Sequence, residues 1–197
     1  MRNTLTVFAV AALLLGLVSC TIDNPVGAPL APPQGVVSSS DAGGVYHPFQ
    51  LPATSGLHKT VPVTATITAA GGGQIAFEHS EGAFSVKIVL TFGPGAVSKD
   101  MDLTMLADDQ TLAATFGPDG TKFGTPGSLY FEAHGLDLSS VSNPADLVKR
   151  LHLLYFNQTT GLWEPISASG FSVDVATGTV ICQKGVIEHF SRYGFGL

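Results

Sequence analysis

The chain has 197 residues, of which 45% are hydrophobic and only 12% are charged, and its formal net charge is −6. This length is sufficient for one domain with a substantial core. The acidic balance excludes the basic surface that nucleic-acid binding needs, so no nucleic-acid partner is expected.

Residues 1–19 have the layout of an export signal. One cation, Arg2, precedes an uncharged apolar run that ends in small residues before Cys20. The run is shorter than the roughly 18 to 20 residues that a membrane-spanning helix needs, so we expect it to be removed. The sequence Leu-Val-Ser-Cys at 17–20 resembles the lipobox of bacterial lipoproteins. That resemblance implies cleavage before Cys20 and diacylglycerol on its thiol, and we expect no cofactor beyond this covalent lipid.

The predicted lipid determines where we expect the protein to reside. Each buried methylene of an acyl chain contributes about 0.8 kcal/mol, and two or more chains anchor a protein stably. Thr21 stands where, by resemblance to enterobacterial lipoproteins, an aspartate favours retention in the inner membrane. We therefore expect a lipid-anchored protein of the cell envelope, held on the membrane, with the outer membrane favoured in a two-membrane cell.

Residues 20–60 differ in composition from the rest of the chain. They are rich in proline, glycine, serine and alanine, as in Asn-Pro-Val-Gly-Ala-Pro-Leu-Ala-Pro-Pro at 24–33. This composition predicts a disordered tether with a reach of order 35 Å. We expect the tether to add little stability, so that a chain beginning near Leu57 unfolds at nearly the same temperature as one beginning at Thr21. The more apolar residues 45–49 make this boundary a soft one.

Residues 61–197 show the period-two alternation of half-buried strands, most clearly at 84–92. Glycine and proline separate the alternating runs and predict turns at 71–73, 93–95, 117–120, 125–127 and 176–178. Asn143 and Pro144 are suited to begin one short helix that continues to Lys149. Cys182 has no disulfide partner once Cys20 is acylated, and we expect it to be buried. The region is predicted to be one all-β domain, an antiparallel β-sandwich.

This region contains several short sequences in the same order as in a known protein family. They are Gly-Gly at 72–73, Phe-Gly-Pro-Gly-Ala-Val at 92–97, Phe-Gly-Pro-Asp-Gly-Thr-Lys-Phe at 116–123, Leu-Leu-Tyr-Phe at 153–156, Gly-Leu-Trp-Glu-Pro at 161–165 and His-Phe-Ser-Arg-Tyr at 189–193. Together they resemble the ZU-five domain of zonula occludens and netrin-receptor proteins. The resemblance implies an antiparallel sandwich that serves as a docking or assembly surface without general enzymatic activity. The sequence shows no death domain or companion β-domain. It therefore does not identify the protein partner that we expect in the envelope.

The tripeptide His189, Phe190, Ser191 has a specific chemical interpretation. In some ZU-five proteins of the death-domain class the same three residues mark self-cleavage between phenylalanine and serine. This resemblance suggests Ser191 as nucleophile and His189 as its base, both on the strand face opposite Phe190. The favoured alternative is that Phe190 fills the core while its two neighbours face outward. No serine lies in a Gly-x-Ser-x-Gly elbow, so no other catalytic residue is predicted.

A carbohydrate-binding module of the cell envelope is the alternative from another class. Tyr155, Phe156 and Trp163 lie close in sequence and are suited to stack on sugar rings, although alternation sends Tyr155 and Phe156 to opposite faces. A solvent-exposed row of aromatic residues on one sheet face would decide for this alternative. The six histidines have no zinc-motif spacing and the acidic pairs have no calcium-loop spacing, so no metal is expected.

Overall fold

The computed structural model describes residues 45–59 and 61–197. The predicted signal 1–19, the predicted lipidation site Cys20 and the tether as far as residue 44 lie outside the described residues. In the described ranges no helix combines the length and the apolar character needed to cross a membrane.

The described chain forms two antiparallel sheets, which confirms the predicted all-β sandwich. The strands are β1 Val63–Ile67, β2 Gly73–Glu81, β3 Phe84–Phe92, β4 Met101–Ala107, β5 Ala113–Gly117, β6 Lys122–His134, β7 His152–Asn157, β8 Leu162–Ile166, β9 Ala168–Asp174, β10 Thr179–His189 and β11 Arg192–Gly196. A 3-10 turn covers Leu57–Lys59, and the helix α1 covers Pro144–Arg150. The six-stranded sheet has the order β1-β4-β5-β11-β7-β8, and the five-stranded sheet has the order β2-β3-β6-β10-β9.

The alternation seen in the sequence determines which side chains form the core. In β3 every second residue from Phe84 to Phe92 is buried, whereas Lys87 and Thr91 are exposed. The inner faces of both sheets contribute to one hydrophobic cluster, with Phe131 from the five-stranded sheet and Phe195 from the six-stranded sheet. Full burial of such a side chain contributes about 1.5 to 3 kcal/mol, so this shared core holds the two sheets together.

Local signals located the helix correctly but misplaced one turn. Asn143 caps α1 by accepting a hydrogen bond from the backbone N–H of Ala145 at 3.1 Å, and Pro144 opens the helix as predicted. The turn predicted at 125–127 is wrong, because β6 runs through these residues and Gly127 pairs with Ile187 of β10. The register then shifts before the next pair, so a bulge accommodates Pro126 within the strand.

The domain begins before residue 61, which corrects the boundary predicted from composition. Residues 45–51, here named the N-terminal strap, pair with the last residues of the sandwich. The N–H of His47 donates to the carbonyl of Leu197 at 2.8 Å, and Leu197 donates back to His47 at 3.1 Å. The N–H of Phe49 donates to the carbonyl of Phe195 at 2.9 Å. Backbone pairing of this kind does not depend on side-chain composition, so composition places residues 45–51 within the tether and indicates only a soft boundary at residues 45–49.

Close packing reinforces this pairing. Pro48 is buried, and a Cβ on Gly196 would lie 2.0 Å from the carbonyl oxygen of His47, so only glycine permits this approach. The ring of Phe49 meets that of Phe195 edge to face at 6.0 Å, and Leu57 is a core residue that is 3% exposed. These contacts predict that residues 45–57 contribute to stability, in contrast to the expectation for residues 20–60, and the melting temperatures of shortened chains test this.

Candidate functional site

The three residues of the predicted self-cleavage motif lie where the chain passes from one sheet to the other. Strand β10 of the five-stranded sheet ends at His189, and strand β11 of the six-stranded sheet begins at Arg192. Phe190 and Ser191 make the crossing. We call residues 189–193 the β10–β11 corner.

Phe190 is an anchor of the core. Its side chain is 1% exposed, which confirms the prediction that the ring points inward. It stacks on Phe116 with centroids 6.4 Å apart and an interplanar angle of 10°, and it meets two further rings edge to face. These are Phe92 at 6.0 Å and Phe123 at 4.7 Å. The corner is thus fixed from the inside by an aromatic cluster.

Two nitrogen atoms lie near the carbonyl oxygen of Phe190. The backbone N–H of Gly120 donates to it at 3.2 Å. Nδ1 of His189 lies 3.4 Å from the same oxygen and donates to it in the tautomer that carries the proton on Nδ1. Ser191 is 4% exposed, and its own carbonyl accepts the N–H of Phe116 at 2.8 Å. The expectation that His189 and Ser191 share a face of one extended strand is wrong, because the chain turns between them. The geometry places His189 on the carbonyl oxygen of the bond.

A hydrogen bond from Tyr193 stabilises the β10–β11 corner. The sequence pattern alone did not predict this role of Tyr193. Its hydroxyl donates to the carbonyl oxygen of His189 at 2.6 Å, four residues earlier in the chain. Burial, followed by the nearby Tyr155 and Glu188, raises the pKa of Tyr193 above its usual range. A tyrosine that bonds back across a sheet-to-sheet crossing is a recurrent device of β-sandwiches, and its spacing from the crossing was the available signal.

A cleft of about 200 Å³ opens beside the corner. It lies where two crossings meet, since Ser167 carries the chain from β8 to β9 just as Phe190 and Ser191 carry it from β10 to β11. Its lining residues come from four strands and one crossing: Tyr155, Ile166, Ser167, Val186, Glu188, His189 and Tyr193. The cleft therefore combines aromatic, aliphatic and carboxylate groups.

A second cluster lies on the outer face of the six-stranded sheet. Phe156 of β7 and Trp163 of β8 are directly paired, with ring centroids 5.2 Å apart. The guanidinium carbon of Arg192 lies 5.3 Å from the Trp163 ring and 6.0 Å from the Phe156 ring. Tyr46 of the strap pairs with Trp163 through a backbone β-bridge, and its ring meets that of His152 edge to face at 5.1 Å. We call these four half-buried residues the aromatic–arginine patch.

An ion pair with Asp108 holds Arg192 in place. Asp108 also accepts hydrogen bonds at Oδ1 from the backbone N–H groups of Thr111 at 2.8 Å and Gln110 at 3.0 Å. Burial opposes ionisation of Asp108, but these two donors and the charge of Arg192 outweigh it and hold the pKa of Asp108 below its usual range. Arg192 is therefore presented on its rings in one orientation.

The outer face of the five-stranded sheet carries a separate polar network. The hydroxyl of Tyr130 donates to Glu132 at 2.6 Å, and His134 contacts Glu132 at 2.9 Å and the hydroxyl of Thr179 at 2.8 Å. Burial raises the pKa of Tyr130 to about 12, and the hydrogen bond from Tyr130 lowers that of Glu132. Thr179 is 8% exposed and is also bonded to Thr177 at 2.7 Å, so we read the network as structural.

The three aromatic residues considered for sugar stacking are divided between two places. Tyr155 lines the cleft, while Phe156 and Trp163 belong to the patch. Among the described residues, the large hydrophobic side chains that are exposed are all aliphatic: Val45, Val61, Leu106 and Leu162. The described part of the chain thus has no exposed aromatic row, and it brings no three histidine, cysteine or acidic side chains together as a metal site.

The structure describes one of the two cysteines, Cys182. Cys182 is fully buried, as expected, and burial raises the pKa of its thiol to about 11. Cys20 lies outside the described residues.

No protein-family model, curated protein or solved structure matches this chain. The corner, the cleft and the patch therefore carry the functional argument.

Proposed function

We propose that this chain is a lipid-anchored lipoprotein of the cell envelope whose β-sandwich binds a protein partner through the aromatic–arginine patch, without enzymatic turnover. The resemblance of residues 17–20 to a lipobox supports the anchor. The resemblance to the ZU-five domain supports a docking or assembly role. The observation that carries the proposal is the patch itself, with Arg192 stacked on Phe156 and Trp163.

The patch has the composition of a protein-binding hot spot. Tryptophan, tyrosine and arginine dominate the binding energy of protein interfaces. Because Asp108 and the two rings already orient Arg192, binding costs little side-chain entropy here. A half-buried centre of two rings and an oriented arginine fits the docking of another protein.

Site-specific photo-cross-linking in cells tests this surface. Pro165 is exposed and lies two residues from Trp163 on the same face of β8, so a photo-reactive residue there should capture the partner. Ala76, exposed on β2 of the other sheet, is the matched control position. We expect one product specific to position 165 that Trp163→Ala or Arg192→Ala weakens at unchanged protein level. Equal products at both positions, or a product indifferent to both substitutions, would contradict the proposal.

The anchor is tested separately. Metabolic labelling with a fatty-acid analogue should mark the natural chain, whereas Cys20→Ala should lose the label and accumulate precursor. Cys182 remains in this variant as an internal control for thiol acylation elsewhere. Labelling that persists in Cys20→Ala would contradict the lipobox interpretation.

Self-cleavage between Phe190 and Ser191 is the second candidate function, and the two donors on the Phe190 carbonyl favour it. In this step the Ser191 hydroxyl oxygen bonds to the Phe190 carbonyl carbon while the Ser191 nitrogen leaves and takes up the hydroxyl proton. Gly120 N–H and His189 would stabilise the oxyanion that forms. Water then hydrolyses the ester to a Phe190 carboxylate and the free Ser191 hydroxyl.

Intact mass under denaturing conditions tests this step. Cleavage predicts loss of residues 191–197 from the chain, and Ser191→Ala should restore the full-length mass. Full-length protein after prolonged incubation would refute cleavage and leave the docking proposal unaffected.

A further inference from the structure

The cleft beside the β10–β11 corner combines aromatic rings with a carboxylate and contains no cationic side chain among its lining residues. We propose that this cleft binds an alkylammonium group, with Glu188 as counter-charge and Tyr155, His189 and Tyr193 as the aromatic walls. The site differs from the aromatic–arginine patch, so the proposal does not depend on protein docking there.

Three rings pack against one another along the wall of the cleft. The Tyr155 and His189 centroids are 4.9 Å apart with an interplanar angle of 78°, and the Tyr155 and Tyr193 centroids are 5.8 Å apart at 44°. The third pair, His189 and Tyr193, is 6.3 Å apart. A cation near such faces is attracted by the ring quadrupoles, and tyrosine is among the side chains that provide this attraction. The part of this aromatic wall that faces the cleft therefore favours a cation over an anion.

The charges around the cleft favour a cation. Glu188 lines the cleft and is exposed, so it can pair with a ligand from solvent. The negative charges of Glu188 and Asp119 contribute to raising the pKa of Tyr193, which shows that the potential at its hydroxyl disfavours a further negative charge. Lys122 pairs with His189 in the register but does not line the cleft, and Arg192 is engaged by Asp108. Glu188 would repel an anion in the cleft, whereas it offers a cation a counter-charge.

The cleft is large enough for a small ligand. One water molecule needs about 10 to 15 Å³ of such space, so a cleft of about 200 Å³ accommodates a group of several heavy atoms. The aliphatic side chains of Ile166 and Val186 line part of the wall and suit a short alkyl stem. The ligand class is therefore a short primary alkylammonium, which exists both as a free amine and as the end of a lysine side chain on another protein.

Titration of the folded protein with n-butylammonium, followed by NMR, tests the site, with 1-butanol as the neutral control of similar shape. We expect saturable shifts at residues 186–189 and in the Tyr155 ring for n-butylammonium and none for 1-butanol. Glu188→Gln should weaken binding about fivefold, which corresponds to about 1 kcal/mol. Glu78→Gln removes the same charge from an exposed site on β2 and should leave the affinity unchanged.

A second arm separates the two sources of the ammonium group. Tighter binding of Nα-acetyl-lysine methylamide than of n-butylammonium would identify a lysine side chain as the ligand, and weaker binding would identify a free amine. The absence of a saturable shift with n-butylammonium, an equal response to 1-butanol, or undiminished affinity in Glu188→Gln would overturn the proposal. Glu188 is exposed, so its substitution tests the cleft without removing a core contact.

Discussion

Replacement of Phe190 by alanine is the most direct test of the corner. The substitution removes a ring that is 1% exposed and that contacts the rings of Phe92, Phe116 and Phe123. The backbone of Phe190 keeps its hydrogen bonds, with its N–H on the carbonyl of Thr121 at 2.9 Å. The change therefore isolates the contribution of the side chain.

The cost has two parts, the lost transfer of an aromatic side chain from water and the cavity left among the remaining rings. Substitutions of a buried phenylalanine by alanine typically cost about 3 to 5 kcal/mol. Three ring contacts, each adding about 0.5 to 1.5 kcal/mol beyond area burial, place Phe190→Ala in the upper part of that range. Phe190→Leu retains much of the volume, and we expect it to cost about half as much or less.

Urea and thermal unfolding of a chain beginning at Val45 measure the effect. For a domain of this size each kcal/mol lowers the melting temperature by about 2 to 4 °C, so a cost of about 4 to 5 kcal/mol for Phe190→Ala should lower it by about 8 to 20 °C. The matched control is Phe156→Ala, because Phe156 is only half-buried on the outer face. We expect the control to lose less than half as much stability as Phe190→Ala.

A loss below about 1 kcal/mol for Phe190→Ala, the range of ordinary surface substitutions, would show that the ring does not lie in the core. Equal losses for Phe190→Ala and Phe156→Ala would refute the distinction between the inner and outer clusters.

Three further predictions concern the strap, the ion pair and the buried thiol. A chain beginning at Val45 should melt at the same temperature as one beginning at Thr21, whereas a chain beginning at Pro52 should melt several degrees lower, because it lacks the strap hydrogen bonds and the Phe49 contact; equal melting of all three would contradict the strap. The pKa of Asp108 is lowered in the folded state, so its contribution to stability is present above its usual value of 3.8 and is lost as the pH falls through the folded pKa. Unfolding free energies measured between pH 6 and the acid range should therefore fall less steeply for Asp108→Asn than for the natural chain, and parallel profiles would refute this. Cys182 should resist a thiol reagent at pH 8 in the folded state and react on unfolding, because it is buried and its pKa is raised to about 11; fast labelling of the folded chain would place the thiol at the surface.

Local pattern determined a large part of the fold. The alternation in β3, the cap at Asn143 and the inward ring of Phe190 all follow from period and residue type, and the structure confirms each of them. The prediction of an all-β antiparallel sandwich follows from the same signals. These features are readable because neighbouring residues establish them through backbone geometry and burial on one face.

Composition gives a wrong prediction where hydrogen bonds to distant residues determine the structure of a segment. Composition places the strap in the tether, yet His47 pairs with Leu197. The turn predicted at 125–127 is part of β6, because its partners in β10 extend the strand. Neither partner is visible in a local window. A prediction from composition records what a segment lacks, and it carries no information about the hydrogen-bond partners that the fold supplies.

Tertiary structure alone assembled the candidate sites. Arg192 meets Asp108 across 84 positions of the chain, and the cleft joins Tyr155, Glu188 and Tyr193 from three strands. The sequence had placed His189 and Ser191 on one strand face, but the crossing between the sheets directs His189 to the Phe190 carbonyl. Residue type and period determine which side chains are buried, whereas the order of the strands determines which of them meet, because that order depends on pairings that no local sequence contains.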